Sequence, residues 1–475
     1  MNGTRPLWLE TAHPPAHPAR ALIPHVDVAI VGGGLTGLTT ALLLRERGRV
    51  VAVLEKDRVG LGESGRTTAH VTECIDARYR RVLRQYGIEG AKLAAAASRA
   101  AIEQIAAIVQ RLQIDCDFRR VPGYLYTENR NKVAELKNEG AAALESGVAC
   151  GWVEEIPLPF PTRGGIRFDN QAELHPGRYL AGLAHAIADC IFSGTHVLSI
   201  DANKVETDRG VITAGAVVDA TNAPTGEFTS LWTKLRQMRT YVVAAPYDRE
   251  PPQALFWDTA TPYHYTRWHG GRLIAGGDDH KVGEPRVPEL ERYVRERYGE
   301  LPVEHRWSGQ IVESFDGLPM TGRWSDDLYV ATAYAGQGTT FGTAAAMLLA
   351  DLIHGQTNEW SSLFDPHRAG FDIRENLEFE VRRNLHPVTV TQPSELKAGQ
   401  GAIVEIDGRR VAVSRDDSGA LRGVDPKCRH LGCDVAWNAV ERSWDCPCHG
   451  SRYSPEGEVL NSPATQPLER IDVGE

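Results

Sequence analysis

The 475-residue sequence has no surplus of basic residues: 52 Lys and Arg stand against 62 Asp and Glu, a net charge of -10. That balance argues against nucleic acid as the main partner and against a polybasic membrane patch. Long apolar runs are also missing. The longest, AAAMLLADLI (344–353), is interrupted by Asp351 and is too short to span a bilayer. The first 25 residues are polar and proline-rich, without the apolar segment of a secretory signal. A soluble, cytoplasmic protein is the expectation. Cysteine is sparse, eight in all, and unevenly placed. Cys74, Cys116, Cys150 and Cys190 are scattered and read as ordinary buried thiols. Cys428, Cys433, Cys446 and Cys448 crowd into the last fifth. A secreted disulfide scaffold would spread its cysteines more evenly over a shorter chain.

What is present is enough apolar material for packed cores, 42% hydrophobic against 24% charged, over a length that suggests about three domains. HVDVAIV (25–31) is a short, β-branched run that predicts a buried strand. Gly32-Gly33-Gly34-Leu35-Thr36-Gly37 follows, then a helical pattern, then the strand RVVAVLE ending at Glu55. This order fits a dinucleotide-binding βαβ unit. Gly32 permits the tight turn, Gly34 lets backbone N–H groups approach a pyrophosphate, and Gly37 lets the helix pack on the strand. The helix N-terminus favours phosphate charge, and Glu55, 18 residues after Gly37, is placed to accept from a ribose hydroxyl. A second G-x-G-x-x-G, at 60–65, follows a polar loop and precedes no helical pattern, so it is not read as a phosphate fingerprint.

EKDRVGLGESGRTTAH (55–70) resembles the segment after the second strand in flavoproteins of the D-amino-acid-oxidase-like (DAO) family. The resemblance implies FAD, with Ser64, Arg66, Thr67, Thr68 and Ala69 as contacts. ESFDGLPMTGR and LYVATAYAGQGTTFGTAAAMLLADLIHG resemble that family's closing strand and helix. There Gly338 is a candidate cofactor contact. Thr339 and Thr340 are candidate contacts and caps of a helix whose positive end favours a reduced flavin. An α/β fold is expected, with a Rossmann-like FAD domain over 26–355 after an extension at 1–25. Residues 90–145 read as alanine-rich helices, and about 225–310 turns to strands, where the family places a substrate sheet. Within PYHYTRW, Tyr263, Tyr265 and Arg267 share one face of a strand. Two phenols and a guanidinium can hold a substrate carboxylate. A strand with a solvated face, or a docking surface for the next domain, is the reading preferred over it. Asp278, Asp279 and His280 form a second polar cluster, with a role suggested only by the resemblance.

Residues 356–387 read as a connector, and 388–475 as a small all-β domain with hairpin signals at Asp407-Gly408 and Ser418-Gly419. Cys428-x-His430, fifteen residues, then Cys446-x-x-His449 offers two thiolates and two imidazoles. Zinc accepts that set, as does a Rieske [2Fe–2S] cluster. Cys433 and Cys448 are two more candidates than a zinc tetrahedron uses. HLGC, CPCHGSRY and NSPATQPL resemble the Rieske family. That resemblance implies Cys428 and Cys446 on one iron, His430 and His449 on the other, and a Cys433–Cys448 disulfide clamping the loops. It also implies that the Ser451 and Tyr453 hydroxyls tune the potential.

The whole chain resembles FAD-dependent oxidoreductases with a C-terminal Rieske domain. The resemblance implies a dehydrogenase acting on a small amine or an amino acid, N-alkylated or not, passing electrons from FAD through the cluster to an external one-electron acceptor. The alternative is an O2-using oxidase whose Rieske domain is a sensor or structural module. A Rieske oxygenase would need a mononuclear iron domain after the cluster, and 26 residues follow His449.

Overall fold

The structure is a computed structural model; it describes residues 6–12, 20–201, 203–225, 228–283, 289–368 and 392–473. Most of the expected connector and the expected start of the C-terminal domain, within 369–391, lie outside the described residues, as does much of the expected extension at 1–25.

The strand His25–Val31 is buried from Val28 onward, as a doubly covered parallel strand requires. It pairs in parallel with Val51–Glu55 on one side and Gly210–Asn222 on the other. Leu328–Thr332 and Met320–Arg323 extend that edge, and Ile191–Ser193 adds to the opposite one. The hairpin strands Val197–Asp201 and Lys204–Thr207 lead into Gly210–Asn222. Between the first two strands runs Leu35–Glu46, packed against the closing helix Gly338–Ile353. Gly37 lets the same helix press on the first strand and the turn after it. A Cβ there would lie 2.0 Å from the Gly32 carbonyl oxygen.

A second, nine-stranded sheet follows the order 305–314, 235–246, 272–281, 264–269, 255–257, 119–126, 165–173 and 70–71, with Cys150–Val153 on Gly165–Glu173. It draws on more of the chain than the expected 225–310. Helices Tyr79–Arg111 and Val133–Glu145 occupy the alanine-rich region, but Arg119–Tyr126 between them is a strand of this sheet.

The C-terminal part has two four-stranded antiparallel sheets, 401–406/409–415/421–424/470–471 and 436–438/443–445/452–453/459–461. Ile406 pairs with Arg409 across Asp407 (φ 51°) and Gly408 (φ 75°), so the Asp-Gly signal is a two-residue hairpin turn. No helix among the described residues is long and apolar enough to cross a membrane.

Candidate functional site: a cofactor cavity and a cluster loop pair

A cavity of about 530 Å³ begins at the nucleotide turn and ends at the second sheet. Of the predicted cofactor residues, Gly32, Gly34, Glu55, Ser64, Arg66, Thr67, Thr68, Gly338 and Thr339 line it. Gly32 has φ 107°, and a Cβ there would meet the Ala220 oxygen at 2.7 Å. Among the described residues, a Cβ on Gly34 would meet the Ser64 Oγ at 3.0 Å. Glu55 accepts from the Gly33 N–H at 2.8 Å and the Asp57 N–H at 2.9 Å. Burial pushes its carboxyl above the usual range, with those backbone donors opposing. Ser64 Oγ accepts from Leu35 N–H at 2.9 Å, which places the loop over the nucleotide helix's first turn.

Gly37, Ala69 and Thr340 do not line the cavity; they shape it. Ala69 has φ 55° and its carbonyl accepts from Arg267. Thr340 Oγ1 accepts from Thr72 N–H at 3.0 Å. The closing helix starts at Gly338 with Gln337 before it, so Thr339 and Thr340 sit inside the first turn and are not its caps. The rejected motif at 60–65 forms only the short turn Glu63–Gly65.

At the far end the cavity meets Tyr263 and Tyr265, but not Arg267. The expectation of two phenols and a guanidinium around one ligand is therefore corrected. Arg267 is fully buried, donates to the Ala69 and Leu174 carbonyls at 2.9 and 3.0 Å, lies 3.6 Å from a Glu173 carboxylate oxygen and stacks over Trp8. It ties the second sheet to the loop ending at Ala69. Carboxylates stand by the phenols instead. Asp76 Oδ2 accepts from the Tyr263 hydroxyl at 3.3 Å, and Tyr265 hydrogen-bonds Thr240 at 2.9 Å, beside Asp279. Burial raises Asp76 to about 6 against the pull of Arg78, and raises Asp279 to about 7 against its Thr240 hydrogen bond. Asp278 and His280 are committed elsewhere: Asp278 accepts from Glu289 N–H, and His280 stacks on Tyr241.

In the C-terminal part Cys433 and Cys448 form a disulfide, while Cys428 and Cys446 are free, buried thiols. Cys446 sulfur also lies within 4.8 Å of both disulfide sulfurs, but these carry no thiolate, so that trio is no metal site. The His430 and His449 rings lie 4.8 Å apart, and His430 Nδ1 is buried without a hydrogen-bond partner among the described residues. Two adjacent thiols and two adjacent imidazoles, one with an orphaned nitrogen among the described residues, fit a Rieske donor set. The hydrogen bond from Cys446 pulls Cys428 down to about 6 against burial. Tyr453 Oη accepts from Arg429 N–H at 3.1 Å, leaving its proton for Cys428 sulfur, also at 3.1 Å. Ser451 Oγ accepts from Ala464 N–H at 3.0 Å and likewise turns to Cys428. Trp232, from the first sheet's side of the molecule, sits edge-on to both histidine rings, 5.2 Å from each.

The sequence reading missed a third wall of the cavity. Glu441, Arg452 and Asn461, all C-terminal, line it too. Single polar side chains on short strands carry no motif, so no signal in the sequence marks them.

Comparisons with known proteins agree with both halves. The family model for FAD dependent oxidoreductases (DAO) matches residues 27–352, and that for the Rieske [2Fe-2S] domain matches 386–472. A Bacillus subtilis protein named as a Rieske 2Fe-2S iron-sulfur protein, YhfW, is 32% identical over 98% of this chain and 97% of its own length. Gamma-glutamylputrescine oxidoreductase of Escherichia coli is 28% identical over 72% of this chain and 87% of its own. Among solved structures, glycine oxidase from Geobacillus kaustophilus superposes with a TM-score of 0.64 at 20% identity, covering 73% of this chain and all of that one. At that identity the likeness speaks for the fold alone.

Proposed function

Because the chain belongs to the FAD-dependent oxidoreductase (DAO) family and carries a Rieske [2Fe–2S] domain, we propose that it is a dehydrogenase oxidising a C–N bond of an amine or N-alkyl amino acid. Its electrons leave FAD by way of the cluster for an external one-electron acceptor. The observation that carries this reading is Arg452, which lines the cofactor cavity and stands in the chain between Ser451 and Tyr453, the two hydroxyl residues at Cys428.

FAD supplies hydride acceptance from a carbon bearing nitrogen, and the cluster supplies one-electron transfer. The rest is the work of the chain's own residues. Gly32, Gly34 and the first turn of Leu35–Glu46 would hold the pyrophosphate, and Glu55 the ribose. The loop 64–69 and the N-terminus of Gly338–Ile353 would hold the ring system. Cys428, Cys446, His430 and His449 would hold the iron. Tyr263, Tyr265 and Asp76 bound the substrate end. With Arg267 committed to the core, that end has carboxylates and phenols for a cation and no guanidinium from that strand for a carboxylate.

The two raised carboxyls give this a sign. A substrate ammonium binds the ionised form of Asp76, which lines the cavity and becomes populated as pH rises through about 6; Asp279, outside that lining, ionises through about 7 and adds its charge at a distance. In the unliganded protein the same ionisation is unfavourable, so the stability that their protonated forms contribute is lost as pH rises through that window. A non-oxidisable quaternary amine should therefore bind at least about tenfold more tightly at pH 8 than at pH 5, read as a perturbation of the flavin spectrum. Binding that is flat or weakens with pH would remove these carboxylates from substrate recognition. The electron route is tested by reducing the protein with an amine under nitrogen and reading flavin and cluster together.

A further inference from the structure

The residues that close the cofactor cavity from the C-terminal side are tied into the nucleotide half by a built contact. Glu441 lies between two arginines. Its carboxylate accepts from Arg239 Nε at 2.7 Å and Nη2 at 2.8 Å, a two-pronged pair, and from Arg452 Nη2 at 2.8 Å. Ser308 also donates to it. Arg239 belongs to the second sheet and its side chain is 1% exposed; Arg452 is 6% exposed. Burial alone would push the Glu441 carboxyl up, but Arg239 and Arg452 outweigh it and hold the group at about 2. Arg452 Nε continues to Asp445, the residue before Cys446, at 3.0 Å.

A second tie runs to the loop that covers the nucleotide helix. Asn461 Nδ2 donates to Glu63 Oε1 at 2.9 Å, and Glu63 Oε2 accepts from Gln310 N–H at 2.7 Å. Glu63 precedes Ser64, whose hydroxyl holds Leu35 N–H. Close packing backs both ties. Gly450 has φ 76°, and a Cβ there would meet Gln310 Nε2 at 2.7 Å and Gln237 Cγ at 2.8 Å. A Cβ on Gly283 would meet Pro447 at 2.8 Å. Docking is thus shaped to a tolerance smaller than a methyl group, with the cluster loop on one side of the joint. One donor is left over. Arg239 Nη1 is buried and has no partner among the described residues, and Arg239 lines the cavity.

We propose that the C-terminal domain is part of the FAD-binding site. Latched by Glu441 between Arg239 and Arg452, it forms the third wall of the cavity with Arg452 and Asn461 and retains the cofactor. A buried donor without a partner is costly unless a ligand meets it, and Arg239 Nη1 supplies one for a polar group of the cofactor. The C-terminal domain then has two roles, the cluster and the closure of the flavin site. The proposal rests on reading the cavity as the FAD site, not on the amine as substrate or on the electron route.

The test uses the full chain and FAD itself. Glu441→Gln removes the charge that two buried arginines share; Asn461→Ala cuts the tie to the Glu63 loop. FAD dissociation is followed by flavin fluorescence, while the Rieske electron paramagnetic resonance signal reports a folded C-terminal domain. The expected result is an FAD dissociation constant raised on the order of 10-fold or more in Glu441→Gln and by a smaller factor in Asn461→Ala, with the cluster signal retained. If Glu441→Gln does not accumulate as folded protein, Arg239→Lys, which keeps the charge and loses the fork, carries the same expectation. Unchanged FAD affinity in folded, cluster-bearing variants overturns the proposal. Unaltered protein that binds FAD tightly but oxidises no amine would count against the proposed reaction and leave this proposal standing, and loss of FAD in the variants would leave the reaction untouched.

Discussion

Cys446→Ser is expected to abolish the Rieske signal and leave FAD bound. Cys446 is 1% exposed and faces Cys428, so the position has no solvent to replace a missing ligand. A serine hydroxyl is neutral at working pH and a poor substitute for thiolate on iron. The two loops stay joined by Cys433–Cys448, which does not depend on the metal site, so the domain keeps a frame. Among the described residues that line the cofactor cavity, Cys446 is absent. Amine should therefore still bleach the flavin, while turnover with a one-electron acceptor falls by more than the roughly 10- to 100-fold typical of outer-shell losses. Iron analysis, resonance spectra and steady-state turnover on one preparation check it. Full turnover without the cluster signal would reduce the C-terminal domain to a structural part.

The second large effect is at the opposite end of the molecule. Gly37→Ala puts a Cβ 2.0 Å from the Gly32 carbonyl oxygen, and both atoms are held, one by the buried strand and one by the buried helix. The helix must move away from the strand, and its N-terminus moves from the place where a pyrophosphate would bind. FAD affinity should fall at least about 100-fold, or about 3 kcal/mol, while the cluster signal persists. Gly151→Ala, where a Cβ meets nothing within 4 Å among the described residues, is the control for a glycine change in the same half and should retain flavin. Equal flavin content in the two variants would contradict the role given to Gly37.

Local patterns carried most of the fold. The run at 25–31, its glycines and the strand ending at Glu55 announce a βαβ unit because each feature acts over a few residues. The Asp407-Gly408 turn and the two Cys/His loops are local in the same way. Arg267 was misread because strand alternation gives the side of a sheet and not what lies over that side. Trp8, Glu173 and the carbonyls of Ala69 and Leu174 come from distant segments. The Arg239–Glu441 pair spans 202 positions and Glu63–Asn461 spans 398. Separations of that size leave no trace in one sequence. Asp76 went unmarked, and Asp279 stood out only as part of a polar cluster, for another reason: their raised pKa values come mainly from burial, which composition does not report.

Flavin and cluster observed together in a single anaerobic reaction test the central claim most directly. Purified protein is mixed with an excess of candidate amines or N-alkyl amino acids under nitrogen and frozen at intervals, with visible and resonance spectra taken on the same samples. The account predicts that flavin bleaching is accompanied by the appearance of a reduced Rieske signal. Flavin that bleaches through many turnovers beside a cluster that dithionite can reduce but substrate never does would contradict it.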